Sequence, residues 1–281
     1  MSKRKKKIFI TLIILIICFI TIPFYLYYEN NSIEITHLDV YINDLPSLLQ
    51  GLKIIQISDT HIPKNASNIE NILDMVRDNS PDIILMTGDI MDEDSDISSF
   101  DVEEFCLGLI DIAPVYSVYG NHELWNSNLE QLDNIYSSSG IIMLNNEFTI
   151  FTYNGSDILL IGLSDAVRYN SDNFVGITNH LSLPVIMLAH HPELADTYSS
   201  SNNLVIPDLV FSGHAHGGQF RLPVIGGLLA PDQGLFPKYD NGLYLLDNNC
   251  QMFVSRGLGN SIFPFRINNR PQLPIITLKS S

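Results

Sequence analysis

Residues 53–61 read Lys53-Ile54-Ile55-Gln56-Ile57-Ser58-Asp59-Thr60-His61, a short apolar run that stops on two metal-competent side chains. The pattern recurs twice downstream. Ile83-Ile84-Leu85-Met86 stops at Gly88-Asp89, and Pro114-Val115-Tyr116-Ser117-Val118-Tyr119 stops at Gly120-Asn121-His122-Glu123. Between the runs, Ile69, Ile72, Leu73 and Val76 fall at helical spacing before Pro81. Phe105, Leu109 and Ile110 mark another helix, and Leu129, Leu132 and Ile135 a third. Working back from 53, Ile33, Ile35, His37 and Val40 suggest an extended segment. Working forward, strand character returns over 141–144, 147–153, 157–163, 184–189, 208–212, 242–247, 251–255 and 274–278. Strand, loop and helix in alternation predict an α/β fold. The expected architecture is two facing β-sheets flanked by helices. The αβ units of the first half should build one sheet, and the strands of the second half the other.

Ligands of open α/β sheets gather beyond the carboxyl ends of strands, so the polar strand ends should meet. Two later strands end in the same way, at His190-His191 and at Gly213-His214-Ala215-His216. Six of the eight histidines lie in these loops, with only His37 and His180 elsewhere. Singly, each motif is commonplace: Asp-x-His arises by chance, and Gly-Asp after a strand is an ordinary turn. His191 reads equally well as a surface residue or a ligand. The weight lies in five such ends in order. Imidazole, carboxylate and amide oxygen, without thiolate, suit Mn²⁺, Fe or Zn²⁺.

Composition narrows the function classes. At 281 residues, with 46% hydrophobic and 16% charged residues, the chain is long and apolar enough for a substantial core, which excludes wholesale disorder. The formal charge is −16, yet five of the 15 basic residues sit within the first seven positions. The remainder carries ten basic against 31 acidic residues, so binding to nucleic-acid backbones is not expected. Three cysteines without a CxxC pair exclude a disulfide framework and a thiolate zinc site; Cys106 and Cys250 could pair in the fold, with two buried free thiols the favoured reading.

Ile8 to Tyr28 carry no charge, and 21 residues at about 1.5 Å each cross a hydrocarbon core. Phe24, Tyr25, Tyr27 and Tyr28 suit the far interface. Lys3, Arg4, Lys5, Lys6 and Lys7 precede the span and Glu29 follows it, which orients the N-terminus inward and the body outward. Cleavage is disfavoured because the first alanine is Ala66. Lipidation at Cys18 is disfavoured by bulky Ile17 before it. The expectation is a single-pass cell-membrane protein with its body on the extracytoplasmic side.

Asp59-x-His61, Gly88-Asp89, Gly120-Asn121-His122-Glu123, His190 and Gly213-His214-x-His216 together resemble the calcineurin-like metallophosphoesterases over about residues 50–278. Pro223…Gly226-Gly227…Pro231, Gly242-Leu243-Tyr244 and Ser255-Arg256-Gly257-Leu258-Gly259 look like a narrower group of membrane-associated bacterial phosphoesterases, some of which hydrolyse UDP-2,3-diacylglucosamine. The resemblance implies a four-layer αββα sandwich and two divalent metal ions (Mn²⁺, Zn²⁺ or Fe). Asp59, His61 and His216 would hold one ion, and Asn121, His190 and His214 the other, with Asp89 bridging. His190 is preferred to His191 because family members carry this ligand two residues before a proline, here Pro192. His122 would serve as general acid. The implied reaction is hydrolysis of a phosphate mono- or diester or a pyrophosphate by hydroxide bridging the ions, with a lipid-linked or sugar-nucleotide substrate among the candidates. The contrasting class is a membrane-tethered binding protein on an inactive scaffold. The implied division is a basic cytoplasmic tail at 1–7, a transmembrane anchor at 8–28, a connecting segment and first strand at 29–49, and the metallophosphoesterase domain at 50–281.

Several weaker features complete the reading. Gly217-Gly218 and Gly226-Gly227 are either turns or points of close backbone approach. Arg168, Arg256, Arg266 and Arg270 are candidates either for a substrate phosphate or for surface ion pairs. Asn65-Ala66-Ser67 and Asn154-Gly155-Ser156 match the glycosylation sequon.

Overall fold

The computed structural model describes residues 3–62, 69–95, 100–164, 169–170, 174–260 and 263–281. Arg168 and the sequon at 65–67 lie outside this set. A 29-residue helix, α1 (Lys3–Asn31), leads the chain and outruns the expected 8–28 span at both ends. Of its side chains, only Glu29 is buried.

The strands follow as β1 (Glu34–Ile42), β2 (Lys53–Ile57), β3 (Ile83–Thr87), β4 (Val115–Val118), β5 (Ile142–Met143), β6 (Glu147–Tyr153), β7 (Ser156–Leu163), β8 (Val185–Ala189) and β9 (Leu209–Ser212). Two short hairpins come next, β10 (Arg221–Leu222) with β11 (Gly226–Gly227), and β12 (Leu229–Ala230) with β13 (Gly234–Leu235). Strands β14 (Gly242–Leu245), β15 (Gln251–Val254) and β16 (Gln272–Ser280) close the chain. Helices α2 (Ile69–Asn79), α3 (Phe100–Ile110), α4 (Asn121–Trp125), α5 (Leu129–Ser139) and α6 (Ala195–Tyr198) interleave with them.

Two six-stranded sheets face each other, in the orders β1-β16-β2-β3-β4-β5 and β14-β15-β9-β8-β7-β6. Strands β2 to β5 are mutually parallel, as are β7, β8, β9 and β15. Between the sheets lie Ile54, Leu85, Leu160, Leu188, Phe211 and Ile276. The alternate residues Ile55, Ile57, Ile84 and Met86 point the other way, into the layer with Val76, Phe105 and Leu132 of the helices. The outer face of the second sheet packs on α6 and surrounding loops through Ala195, Tyr198 and Val205. Gln56 is the polar exception inside β2. Its amide donates to Thr87 Oγ1 at 2.8 Å and to the Ser212 carbonyl at 2.9 Å, which ties the two sheets beneath the strand ends.

One expectation is corrected. Two of the expected second-half strands do not join the others: β5 pairs with β4, and β16 inserts into the first sheet, parallel to β1 and antiparallel to β2. Its apolar residues explain the placement. Leu273 and Ile275 enter the helix-side core, while Ile276 and Leu278 enter the layer between sheets. A strand apolar on both faces needs cover on both and neighbours on either side.

Candidate metal centre

All the polar strand ends converge, and their backbones are held in demanding conformations. Asp59, His61, Asp89, His214 and His216 have φ of 51°, 48°, 52°, 63° and 46°, a left-handed region that non-glycine residues enter at a cost. Glu123 ties two loops together through three backbone amides. Its Oε2 accepts from the amides of Asp89 and Gly120, each at 2.8 Å, and its Oε1 accepts from the Met91 amide at 2.9 Å. Gly120 must be glycine here, because a Cβ would collide with the Asp89 carboxylate. The His214 amide donates to Asp59 Oδ1 at 2.9 Å, linking the last loop to the first.

Two donor groups share one carboxylate. Asp59, His61, Asp89 and His216 form the first, and Asp89, His190 and His214 the second, all buried. In the first, His61 Nε2 lies 3.4 Å from His216 Nε2, which lies 3.5 Å from Asp59 Oδ1. In the second, His190 Nε2 lies 3.2 Å from both His214 Nδ1 and Asp89 Oδ2. Two neutral imidazole lone pairs so close repel unless a cation or proton stands between them. The His190 tautomer is set from behind, since Nδ1–H donates to the Thr87 carbonyl at 2.7 Å and leaves Nε2 facing the cluster. Asn121 is buried, and its Oδ1 has no hydrogen-bond partner. An orphaned buried acceptor beside such clusters is what a cation site provides. The residues present therefore fit divalent ions.

Electrostatics agree with that fit. Burial alone would raise Asp89, but the His190 charge and hydrogen bond, with His61 and His122, hold it well below the usual carboxylate range. Burial would lower His190, but the charge and hydrogen bond of Asp89, with Asp59 and the Thr87 carbonyl, raise it to about 10. His214 and His216 are driven well below the ordinary imidazole value by burial and by neighbouring histidine charge, which keeps them neutral and able to donate electron pairs. Burial raises Asp59. It raises Glu123 to about 6, with the Asp89 charge acting in the same direction.

The calcineurin-like phosphoesterase model matches residues 52–218, more than half of the chain. The chain belongs to that family. It is accordingly a metal-dependent phosphoric ester hydrolase. It is 29% identical over 263 residues to the uncharacterized metallophosphoesterase YkuE of Bacillus subtilis, covering 91% of this chain and 88% of that one. Phosphodiesterase YaeI of Escherichia coli is 26% identical over 230 residues, covering 80% and 82%. A Danio rerio transmembrane protein with metallophosphoesterase domain is 28% identical over 270 residues, covering 88% of this chain and 58% of that protein.

Around the cluster of this phosphoesterase stand residues that the sequence motifs did not assign. Asp92 Oδ1 lies 3.0 Å from His122 Nδ1, while His122 Nε2 faces Asp89 Oδ2 at 3.9 Å. The His122 ring meets His61 edge-on at 4.7 Å between centroids. Asp232, in the turn between β12 and β13, places Oδ2 2.9 Å from His214 Nε2, the nitrogen directed away from the cluster. His191 is buried rather than on the surface. Its Nδ1 bonds Glu193 Oε1 at 2.6 Å, and its ring lies 4.2 Å from that of His214. Asp92 is three residues from Asp89 and had that proximity as a signal. Asp232 had none, because only the hairpin fold brings it near.

Of the four candidate arginines, the three within the described residues bind protein rather than an open site. Arg266 is fully buried, donating to the carbonyls of Arg256, Asn269, Gly257 and Gly259. Arg256 pairs with Glu34 at 2.8 Å, and Arg270 donates to the carbonyls of Ser32 and Ile33. The paired glycines approach each other rather than opening a cavity: a Cβ on Gly218 would collide with Gly227.

Proposed function

We propose that this phosphoesterase is anchored in the membrane by α1 and hydrolyses a phosphate mono- or diester or a pyrophosphate bond on the extracytoplasmic side, with a lipid-linked or sugar-nucleotide molecule as the favoured substrate class. The observation that carries the chemical part is the pair of buried donor groups that share Asp89. Asp59, His61 and His216 would hold one divalent ion and Asn121, His190 and His214 the other, with Asp89 contributing one oxygen to each. Mn²⁺, Zn²⁺ and Fe all suit this donor set. When bound, such a pair supplies an activated water and neutralises charge on the phosphoryl oxygens. The remaining work falls to the chain. Asp92, 3.0 Å from Nδ1, orients the His122 ring with Nε2 towards Asp89, where His122 would protonate the leaving oxygen. Thr87 holds His190, and Asp232 holds His214, in ligand orientation.

The length and apolar character of α1, which is long enough to cross a bilayer, support the anchor. The five basic residues before its apolar stretch support the outward body. Chelation of the full chain in detergent should abolish turnover of a nitrophenyl phosphodiester, and Mn²⁺ should restore it. Protease added to sealed spheroplasts should cut the body. A protected body would move the active site to the cytoplasm without touching the metal assignment.

A further inference from the structure

The foot of α1 does not hang free of the domain; it is built into the loops that carry the metal ligands. Glu29 is buried and accepts the Asn269 amide at 2.9 Å, and the Asn269 side chain donates to the His216 carbonyl at 2.7 Å. Asn30 Oδ1 accepts from the Arg266 amide at 3.1 Å and from Asn260 at 3.0 Å. Higher on the helix, Tyr25 binds both the amide and the side chain of Asn268, at 3.0 and 2.9 Å. Asn268 in turn donates to the Arg221 carbonyl at 3.2 Å, and Phe220 bridges to Ile267.

Tyr25 lies six residues before the helix end, roughly 9 Å along the axis. It belongs to the aromatic cluster Phe24, Tyr25, Tyr27 and Tyr28 that suits a headgroup region. The start of β10 is therefore fastened at the level of that interface. The next residues, Leu222, Val224 and Ile225, are exposed, Val224 completely so. Val224 reaches that position at φ 73°, a conformation a β-branched residue adopts only at a cost. The neighbouring hairpin exposes Leu235 and Phe236, the latter at φ 57°. Its turn carries Asp232 to His214. Lys238, two residues past Phe236, is exposed beside these apolar side chains.

We propose that the hairpins β10–β11 and β12–β13 form a second contact with the bilayer, their exposed apolar side chains lying in the headgroup region of the leaflet from which α1 emerges. The metal-ligand loops then open directly onto a lipid surface, and the phosphoester is met there. The inference rests on the reading that α1 crosses the membrane. Exposed apolar side chains, fastened through Asn268 to the aromatic foot of α1 and flanked by the exposed Lys238, match a phospholipid headgroup interface.

The test uses the full chain with Cys18→Ser, since Cys106 and Cys250 are buried. Single cysteines at Ile16→Cys, Ile225→Cys, Leu235→Cys and Asp111→Cys carry an environment-sensitive fluorophore in liposomes of phosphatidylcholine and phosphatidylglycerol. Asp111 precedes β4 at the opposite pole from the ligand loops and serves as the water reference. Turnover of a nitrophenyl phosphodiester confirms that each labelled protein is folded. Ile16, Ile225 and Leu235 should all show blue-shifted emission and be quenched several-fold more by nitroxide-labelled lipid than Asp111. Quenching at Ile16 with both hairpin sites matching Asp111 overturns the proposal and leaves the anchor standing. An unquenched Ile16 overturns both. Blue-shifted but unquenched hairpin sites would mean that a second copy covers them, which also overturns it.

Discussion

The loops at the carboxyl ends of the strands and the hairpins at 220–236 lie side by side but are built on opposite principles. In the first region, buried side chains face one another at 3.2–3.5 Å, and Glu123 alone binds three backbone amides across two loops. In the second, strands are two residues long and large apolar side chains point to the outside. Both use left-handed backbone at non-glycine positions, in the first to aim ligands inward and in the second to present Val224 and Phe236 outward. Rigid burial suits chemistry that demands fixed donors, whereas an exposed apolar edge suits recognition of a surface. Asp232 is the direct side-chain link between them, a hairpin residue bonded to a cluster histidine.

Substitutions should separate the regions sharply. Asp89→Asn should have the largest effect, because it weakens both donor groups and removes a charge. Its loss of turnover should exceed the roughly 10²–10³-fold cost of one missing electrostatic contact. It should also exceed the losses in Asn121→Ala and His190→Ala. Near-normal turnover in Asp89→Asn alongside an inactive His190→Ala would break the assignment of Asp89 to both ions.

Next in size is His122→Ala, which should retain metal and lose roughly 10²–10⁴-fold on alkyl esters. It should lose less on nitrophenyl esters, whose leaving group needs no proton. His214→Ala should instead lose metal and impair both ester types alike. Equal losses on the two esters would remove His122 from the acid role.

A smaller effect comes from pH. In metal-free protein His190 binds a proton up to about pH 10, and a metal ligand must be neutral. Displacing that proton makes metal affinity rise as pH increases from neutrality towards 10, by about tenfold per pH unit for one proton. Calorimetry in buffers of different ionisation enthalpy should register the proton released. Affinity that is flat over this range would mean that His190 is neutral before metal arrives.

The smallest effect is expected at the hairpin tips. Ile225→Ser should shift stability by no more than about 0.5 kcal/mol and leave turnover of a soluble nitrophenyl diester unchanged. A loss comparable to that of His122→Ala would show that the two regions are not separable.

The sequence disclosed the first region far better than the second, for physical reasons. Strands β2, β3 and β4 announce themselves as apolar runs ending in Asp59, Asp89 and Asn121, because a buried strand and its candidate ligand are neighbours in the chain. Strand β16 was legible as a strand but not by its position, since pairing across more than 200 residues with β1 and β2 leaves no local trace. Glu123 was visible within the Gly120-Asn121-His122-Glu123 motif, yet its bonds to Asp89 and Met91 exist only once two loops meet. From the sequence, Arg266 was a candidate either for a substrate phosphate or for a surface ion pair. Its burial among backbone carbonyls depends on a loop that no periodicity describes.

The central claim is that two ions share Asp89, and electron paramagnetic resonance of the Mn²⁺-titrated full chain tests it most directly. The account predicts a spin-coupled Mn²⁺ pair at two ions per chain, replaced in Asp89→Asn by uncoupled or lost signal. Uncoupled mononuclear Mn²⁺ in the unsubstituted protein at full activity would contradict it.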